Sequence, residues 1–355
     1  MKTIKKILGL ALVAFSTISL LTAETSGLRI GSAYTIQDDV YDLNNLITWN
    51  RLDFDKFIGF TNISSSSEGN LAGAFHVQKN NVLGLAWNGN LWNDNNNSTQ
   101  HNSFTAFYGF NNNKALKFTF TEYTRDYTTG TYKDYGDYYF NLGYGMTVSE
   151  KIAFSAYANF ELVKQNGFVD TNLRKETAFG LGGTFYYTLA KDAKVNSRFY
   201  FAADMNFKGN TTQTGNITVT TDTSSFKFTP GVDLQYKITP KFTYGFNGQT
   251  SISFAGGDAA KNVNLYFYLQ NGFTAKVTDI VLFNMGIYTS LPSITFPENG
   301  ETTTGNFYNS FYAGFSFNLT DAVRIDASAY ITPADGLSFD EVWKQNFNLS
   351  VRVKF

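Results

Sequence analysis

Ile152-Ala153-Phe154-Ser155-Ala156-Tyr157-Ala158-Asn159-Phe160-Glu161-Leu162 divides by parity. The even positions are all apolar. The odd positions are small, polar or charged. Successive side chains on a β-strand point to opposite faces, so this stretch reads as a strand with one greasy and one wet face. The same division recurs along the chain. Phe199, Phe201, Ala203, Met205 and Phe207 alternate with Arg198, Tyr200, Ala202, Asp204 and Asn206. Phe226 to Ile238, Phe311 to Leu319 and Val323 to Ile331 repeat it, as do the last ten residues. A soluble sandwich also alternates. Two features separate the cases here. The runs reach roughly ten residues or more, against about 5–6 for globular strands. Phenylalanine dominates the apolar face, whereas the other face carries Gly, Tyr, Asn and charge, which suits lipid outside and water within.

Composition agrees. The 355 residues are 17% aromatic and only 16% charged, with 35 Phe and 22 Tyr. There are 5 Pro, as long hydrogen-bonded ladders require, and no Cys, which excludes a disulfide scaffold, thiolate metal ligands and a cysteine nucleophile.

At the start, Lys2, Lys5 and Lys6 precede the uncharged apolar run Ile7 to Leu21, and Thr22-Ala23 precedes Glu24. This is the layout of a cleaved secretory signal peptide, residues 1–23, with a run too short for a membrane helix. The exported chain, residues 24–355, has 25 basic and 29 acidic residues. No basic excess points to nucleic acid. No later apolar stretch approaches the length of a transmembrane helix. The exported chain is therefore either a soluble β-protein or a single β-barrel domain in the outer membrane of a diderm bacterium.

The turns favour the barrel. Short ones centre near residues 80, 112, 150, 192, 240, 279 and 321, including Ser149-Glu150-Lys151, Lys191-Asp192-Ala193, Thr239-Pro240-Lys241 and Thr278-Asp279-Ile280. Longer polar stretches lie between them: 93–103, 125–136, 208–225 and 297–306. Short turns on one rim and long loops on the other describe periplasmic turns and extracellular loops, with periplasmic termini. The expected fold is all-β, a transmembrane antiparallel up-and-down barrel of about eighteen strands. Four of these fall in 28–36, 44–52, 56–63 and 70–78. If 44–63 is instead a loop, the count is sixteen. Asn271 and Asn309 fall on the apolar phase and are expected at bulges or at the membrane interface.

With these features together, the chain resembles bacterial outer-membrane β-barrel proteins of porin-like size. The resemblance rests on the signal peptide, the alternation, and the alternating C-terminal strand Asn346 to Phe355. It implies that the terminal Phe355 acts as the signal read by the barrel assembly machinery. The constriction-loop motif of general trimeric porins is not evident, and the oligomeric state stays open.

A barrel of this size encloses an aqueous lumen, so its expected partners are membrane lipids outside and small hydrophilic solutes inside. Inward-facing charge would set selectivity. On the inward phase the cations are Arg29, Lys117, Arg198, Lys227, Lys237, Lys276, Arg324, Arg352 and Lys354. The acids are Asp137, Glu161, Glu176, Asp204, Asp233 and Asp326. Most of the cations fall near short turns or a terminus, and Glu161, Glu176 and Asp204 nearer the loops. Two readings follow: a cationic inner mouth with weak anion preference, or charges that pair across strands and brace the wall, as Arg324 with Asp326.

Other features also carry paired readings. Tyr123, Tyr127, Tyr132, Tyr135, Tyr138 and Tyr139 could form a sugar-stacking or adhesive surface, or the outer aromatic girdle. The Ser338-Phe339-Asp340-Glu341 capping-box pattern suggests a short helix, over the mouth or on its rim. Gly180-Leu181-Gly182-Gly183 lacks the context of a phosphate loop and reads as room for aromatic neighbours. Catalysis has little support: His76 and His101 are the only histidines, with no nucleophile–base cluster at matching depth. No cofactor or metal is expected. Channel and surface adhesin or antigen remain the two functional classes.

Overall fold

The computed structural model describes residues 57–64, 70–78, 81–89, 99–111, 113–127, 132–167, 172–192, 194–258, 261–298, 300–320, 323–331 and 347–354. The expected signal peptide 1–23, the expected strands 28–36 and 44–52, Arg29, the Ser338–Glu341 pattern and Phe355 lie outside them.

All the described regular structure is β. The strands are β1 Phe57–Ser64, β2 Asn70–Gln78, β3 Asn81–Gly89, β4 Thr99–Phe110, β5 Lys114–Asp126, β6 Tyr132–Thr147, β7 Ile152–Gly167, β8 Leu173–Lys191 and β9 Val195–Thr214. They continue as β10 Ile217–Thr239, β11 Phe242–Gly257, β12 Asn262–Lys276, β13 Val281–Ser290, β14 Ile294–Pro297, β15 Thr303–Thr304, β16 Tyr308–Thr320, β17 Val323–Ile331 and β18 Phe347–Lys354. They form one eighteen-stranded sheet in which every pairing is antiparallel and sequence neighbours pair. β14 prolongs β13 along β12, and β15 pairs with β14 ahead of β16. These two short strands occupy no separate place in the wall, so the ladder has sixteen positions. β1 pairs with β2 on one side and with β18 on the other, from Ile58↔Lys354 to Ser64↔Asn348. Sixteen strands spaced ~4.8 Å apart and tilted ~40° give a wall about 30 Å across between backbones.

Parity sorts the side chains as the sequence implied. Leu85, Phe104, Leu142, Phe185 and Phe207 are exposed on the outer face, Leu142 by 58%. Asp233 and Ser316 on the inner face are fully covered. A water-soluble fold does the reverse, because exposed apolar area costs about 25 cal/mol per Å². Hydrocarbon around the wall removes that cost.

One aromatic row runs across the outer face. Trp87, Phe104, Phe120, Phe140, Phe160, Phe179 and Phe207 are direct register partners from β3 to β9. Direct partners lie perpendicular to tilted strands, so such a row climbs about 3 Å along the barrel axis per strand. The strands record the climb: Trp87 is six residues beyond the start of β3, and Phe207 twelve beyond the start of β9. The row is thus an oblique stripe and not a level girdle.

Strand lengths among the described residues are uneven. β1 to β3 have 8 or 9 residues, β8, β9 and β10 have 19, 20 and 23, and β13 has 10. Crossing a membrane takes ~9–11 tilted residues. The polar stretch 208–225, expected as a loop, is instead the upper half of the β9–β10 hairpin, closed at Gly215-Asn216 with Gly215 at φ 60°. Its threonines are β-branched and suit an extended backbone although they are polar. Most of 125–136 is likewise strand.

The short turns close by side-chain capping, as expected. The Ser149 hydroxyl oxygen accepts from the Ile152 amide at 3.1 Å, Thr278 from Val281 at 2.9 Å and Thr239 from Lys241 at 3.2 Å. Asp192 accepts from the amides of Val195 at 2.8 Å and Lys194 at 2.7 Å. These two amides, Val195 first, hold its carboxyl below the usual aspartate range. Asn271 and Asn309 sit in unbroken register and not at bulges. Their amide oxygens accept from the Tyr244 hydroxyl at 2.6 Å and the Thr289 hydroxyl at 2.7 Å.

Candidate functional site: the lumen wall

The inner face is organised by cross-strand polar networks. Arg198, Asp233 and Asn247 stand directly opposite one another on β9, β10 and β11. Arg198 Nε donates to Asp233 Oδ2 at 2.6 Å, and the Asn247 amide donates to Oδ1. The guanidinium lies 4.8 Å from the centre of the Tyr186 ring. Asp233 has 0% of its side chain exposed and Arg198 16%. Across β12, β13 and β16, the Thr274 hydroxyl donates to Asn284 at 2.7 Å, and the Asn284 amide donates to Ser316 at 3.1 Å.

A tyrosine strap occurs twice. Tyr157 on β7 lies over Gly182 on β8 and donates its hydroxyl to Asp204 on β9. Tyr200 on β9 lies over Gly231 on β10 and donates to Gln249 on β11 at 2.7 Å. The glycines are required by the close approach. A Cβ on Gly182 would sit 2.5 Å from Tyr157 Cζ, and one on Gly231 would meet the Tyr200 ring. Within 180–183, Gly182 therefore makes room for an aromatic neighbour, as the composition suggested, whereas a Cβ on Gly180 would meet the Asn159 amide and one on Gly183 the Ser155 carbonyl.

Acids gather on the loop side of the wall. Asp137, Glu161 and Glu176 face inward on β6, β7 and β8, within electrostatic reach of one another. Lys208 and Arg174 both pair with Glu176, Arg174 at 3.2 Å. At the short-turn rim, Lys276 pairs with Asp279 at 2.8 Å. That ion pair holds the exposed Asp279 carboxyl below the usual range. Lys227 and Lys237 are exposed on the inward phase, with no ion pair among the described residues.

The structure thus answers part of the charge reading. Arg198 with Asp233 is a brace. Lys117, Asp233 and Asp326 are buried in the inner face. Arg324 and Arg352 are register partners near the short-turn rim, and the buried Asp326 stands opposite Ser350. The tyrosines of 123–139 divide. Tyr123 pairs with Asp137, and Tyr139 with Glu161, on the inner face, whereas Tyr138 shares the outer face with Leu162.

Sequence reasoning missed one feature of the lumen. On β12 and β13, Tyr266, Tyr268 and Tyr288 sort inward while Phe267, Phe273 and Phe283 sort outward, whereas Tyr108, Tyr138, Tyr187 and Tyr236 elsewhere lie on the outer face. Tyr266 stands opposite the buried Ser251, and Tyr268 opposite Gln249. Their rings are nearly parallel at 9° with centroids 6.3 Å apart, and Tyr288 on β13 lies 6.0 Å from Tyr268. Parity within β12 and β13 carried this signal, once Tyr was scored apart from Phe.

No family model matches the sequence, and no curated protein does. The solved structures do. CdiB from Acinetobacter baumannii superposes with a TM-score of 0.50 at 12% identity, over 85% of this chain and 60% of that one. The fold is that of an outer-membrane β-barrel. The siderophore receptor PiuA from Acinetobacter baumannii follows, with TM-score 0.45, 10% identity, and 79% and 57% coverage. The CymD monoaromatic hydrocarbon channel gives TM-score 0.41 and 11% identity over 96% and 98%. This chain spans about 60% of the length of CdiB and PiuA. At such identities the likeness fixes the barrel, and the lumen must speak for function.

Proposed function

We propose that this barrel is an outer-membrane channel for passive diffusion of small hydrophilic solutes. The observation that carries the reading is the sorting of the wall: a polar, hydrogen-bonded inner face behind an apolar outer one. A wall needed only as an anchor for surface loops has no use for the exposed inward lysines Lys227 and Lys237. Weak anion preference belongs to the same reading. Lys237 near the short-turn rim and Lys227 higher on the same strand line the inward phase of β10, and the sequence adds Arg324, Arg352 and Lys354 near that rim, so the inner mouth carries a positive potential. The acids of β6 to β8 are shared with Lys208 and Arg174.

Refolded protein in planar bilayers tests this. Stepwise conductance with a reversal potential on the anion side is expected in a salt gradient. Lys227→Glu with Lys237→Glu should move that potential towards cations. A correctly folded barrel that gives no conductance steps would overturn the channel and leave the surface adhesin or antigen reading.

A further inference from the structure

We infer that the upper lumen holds a saccharide track, formed by the stacked tyrosines of β12 and β13. The inference rests on the channel reading and names its solute class. Tyr266 and Tyr268 are successive inward residues of β12, half-buried, with rings nearly parallel along the strand. Tyr288 flanks Tyr268 from β13 at an interplanar angle of 28°. Each ring thus stands within 6.3 Å of the next on a rigid sheet.

The surroundings decide between an apolar ligand and a sugar. Asn264 continues the track beyond Tyr266, bonded to Thr295 at 2.7 Å and Ser253 at 3.5 Å. Gln270 continues it below Tyr268 and stands opposite Tyr288. Amides and hydroxyls therefore border the rings at both ends. A purely apolar ligand would displace lumen water from the donor and acceptor capacity that Asn264 keeps beyond Thr295 and Ser253, and would gain no hydrogen bond in return. A sugar ring presents C–H bonds on its face and hydroxyls on its rim. Its face suits the tyrosine plane, its rim suits the amides, and both remain compatible with a wet lumen. From Tyr266 to Gln270 the strand advances about 13 Å, enough for two or three sugar units. Across the sixteen-position wall, β5 and β6 carry a second inward pair, Tyr123 and Tyr135, edge to face at 5.7 Å.

Single-channel recording with maltotriose tests the proposal, with hexaethylene glycol as a flexible control. Maltotriose should interrupt the open current in resolved blockades, and hexaethylene glycol should not. Tyr268→Ala should shorten the blocked time about two- to tenfold, the range expected for one lost aromatic contact. Tyr268→Phe keeps the ring and should stay near wild type. Tyr266→Ala serves as the second variant if Tyr268→Ala does not fold, as judged by heat-modifiable gel migration. A conducting channel with no maltotriose blockades, or with blockades unchanged in the folded alanine variants, overturns the proposal alone. Absence of conductance overturns the channel reading, and this proposal with it.

Discussion

Replacing Asp233 by alanine removes the anion from the brace on β9 to β11. In the wild-type wall this carboxylate takes Arg198 Nε at 2.6 Å and the Asn247 amide, with none of its side chain exposed. Asn247 keeps a second partner, because its amide also donates to the Tyr200 hydroxyl at 3.1 Å. Arg198 keeps the Tyr186 ring but loses its counter-charge. Removing one partner of a buried ion pair costs about 3–5 kcal/mol. Arg198 retains 16% exposure towards lumen water, which favours the lower end, about 3 kcal/mol. With a urea slope of roughly 2–3 kcal/mol/M, the unfolding midpoint should fall by about 1–1.5 M. Tryptophan fluorescence of the protein refolded into lipid vesicles reads the midpoint. The companion variant replaces both partners, Asp233→Leu with Arg198→Met. Exchanging an ion pair for apolar residues is often near neutral, so it should recover most of the loss. The freed cation in the single variant should also draw the reversal potential towards anions. A midpoint unchanged by Asp233→Ala would refute the brace. So would a double variant as unstable as the single one.

Phe185 lies on the outer face six residues from the short turn, near mid-membrane, and Phe185→Arg should cost about 2–4 kcal/mol in the same titration. The inward neighbour Thr184→Arg should cost far less but reduce single-channel conductance. Gly182→Val drives a side chain into the Tyr157 ring and should cost about 1–3 kcal/mol, partly recovered by Gly182→Val with Tyr157→Ala. For Asp192 the folded pKa is depressed, so its contribution is present above the unfolded value of about 3.9 and is lost as pH falls through the lower folded value. The stability difference between wild type and Asp192→Asn should therefore be present at neutral pH and shrink in acid below about pH 4.

The fold was legible because a barrel wall repeats one rule. Each strand must be apolar on alternate residues, and Ile152 to Leu162 states it without exception. The turns were legible because Ser149, Asp192, Thr239 and Thr278 cap their own backbones locally. Register was not. Arg198 and Asp233 are thirty-five residues apart, and only the β9–β10 pairing sets them opposite. The tyrosine straps need three strands in register, so neither Tyr157 nor Gly182 announces the other. Loop extents failed at 208–225 because polarity was read as coil, whereas threonine, Ile217 and Val219 favour an extended chain. Asn271 looked like an irregularity for want of Tyr244, its partner on the neighbouring strand.

The β8–β10 strands give the barrel a one-sided crest. They carry about ten residues beyond what a bilayer needs, rising roughly 25 Å above it at the usual tilt. Both faces of that crest meet water, which its threonine-rich upper half suits, so the most prominent surface on this side of the molecule is a hydrogen-bonded sheet held rigid by its own ladder, where a coil of the same length would be a tether.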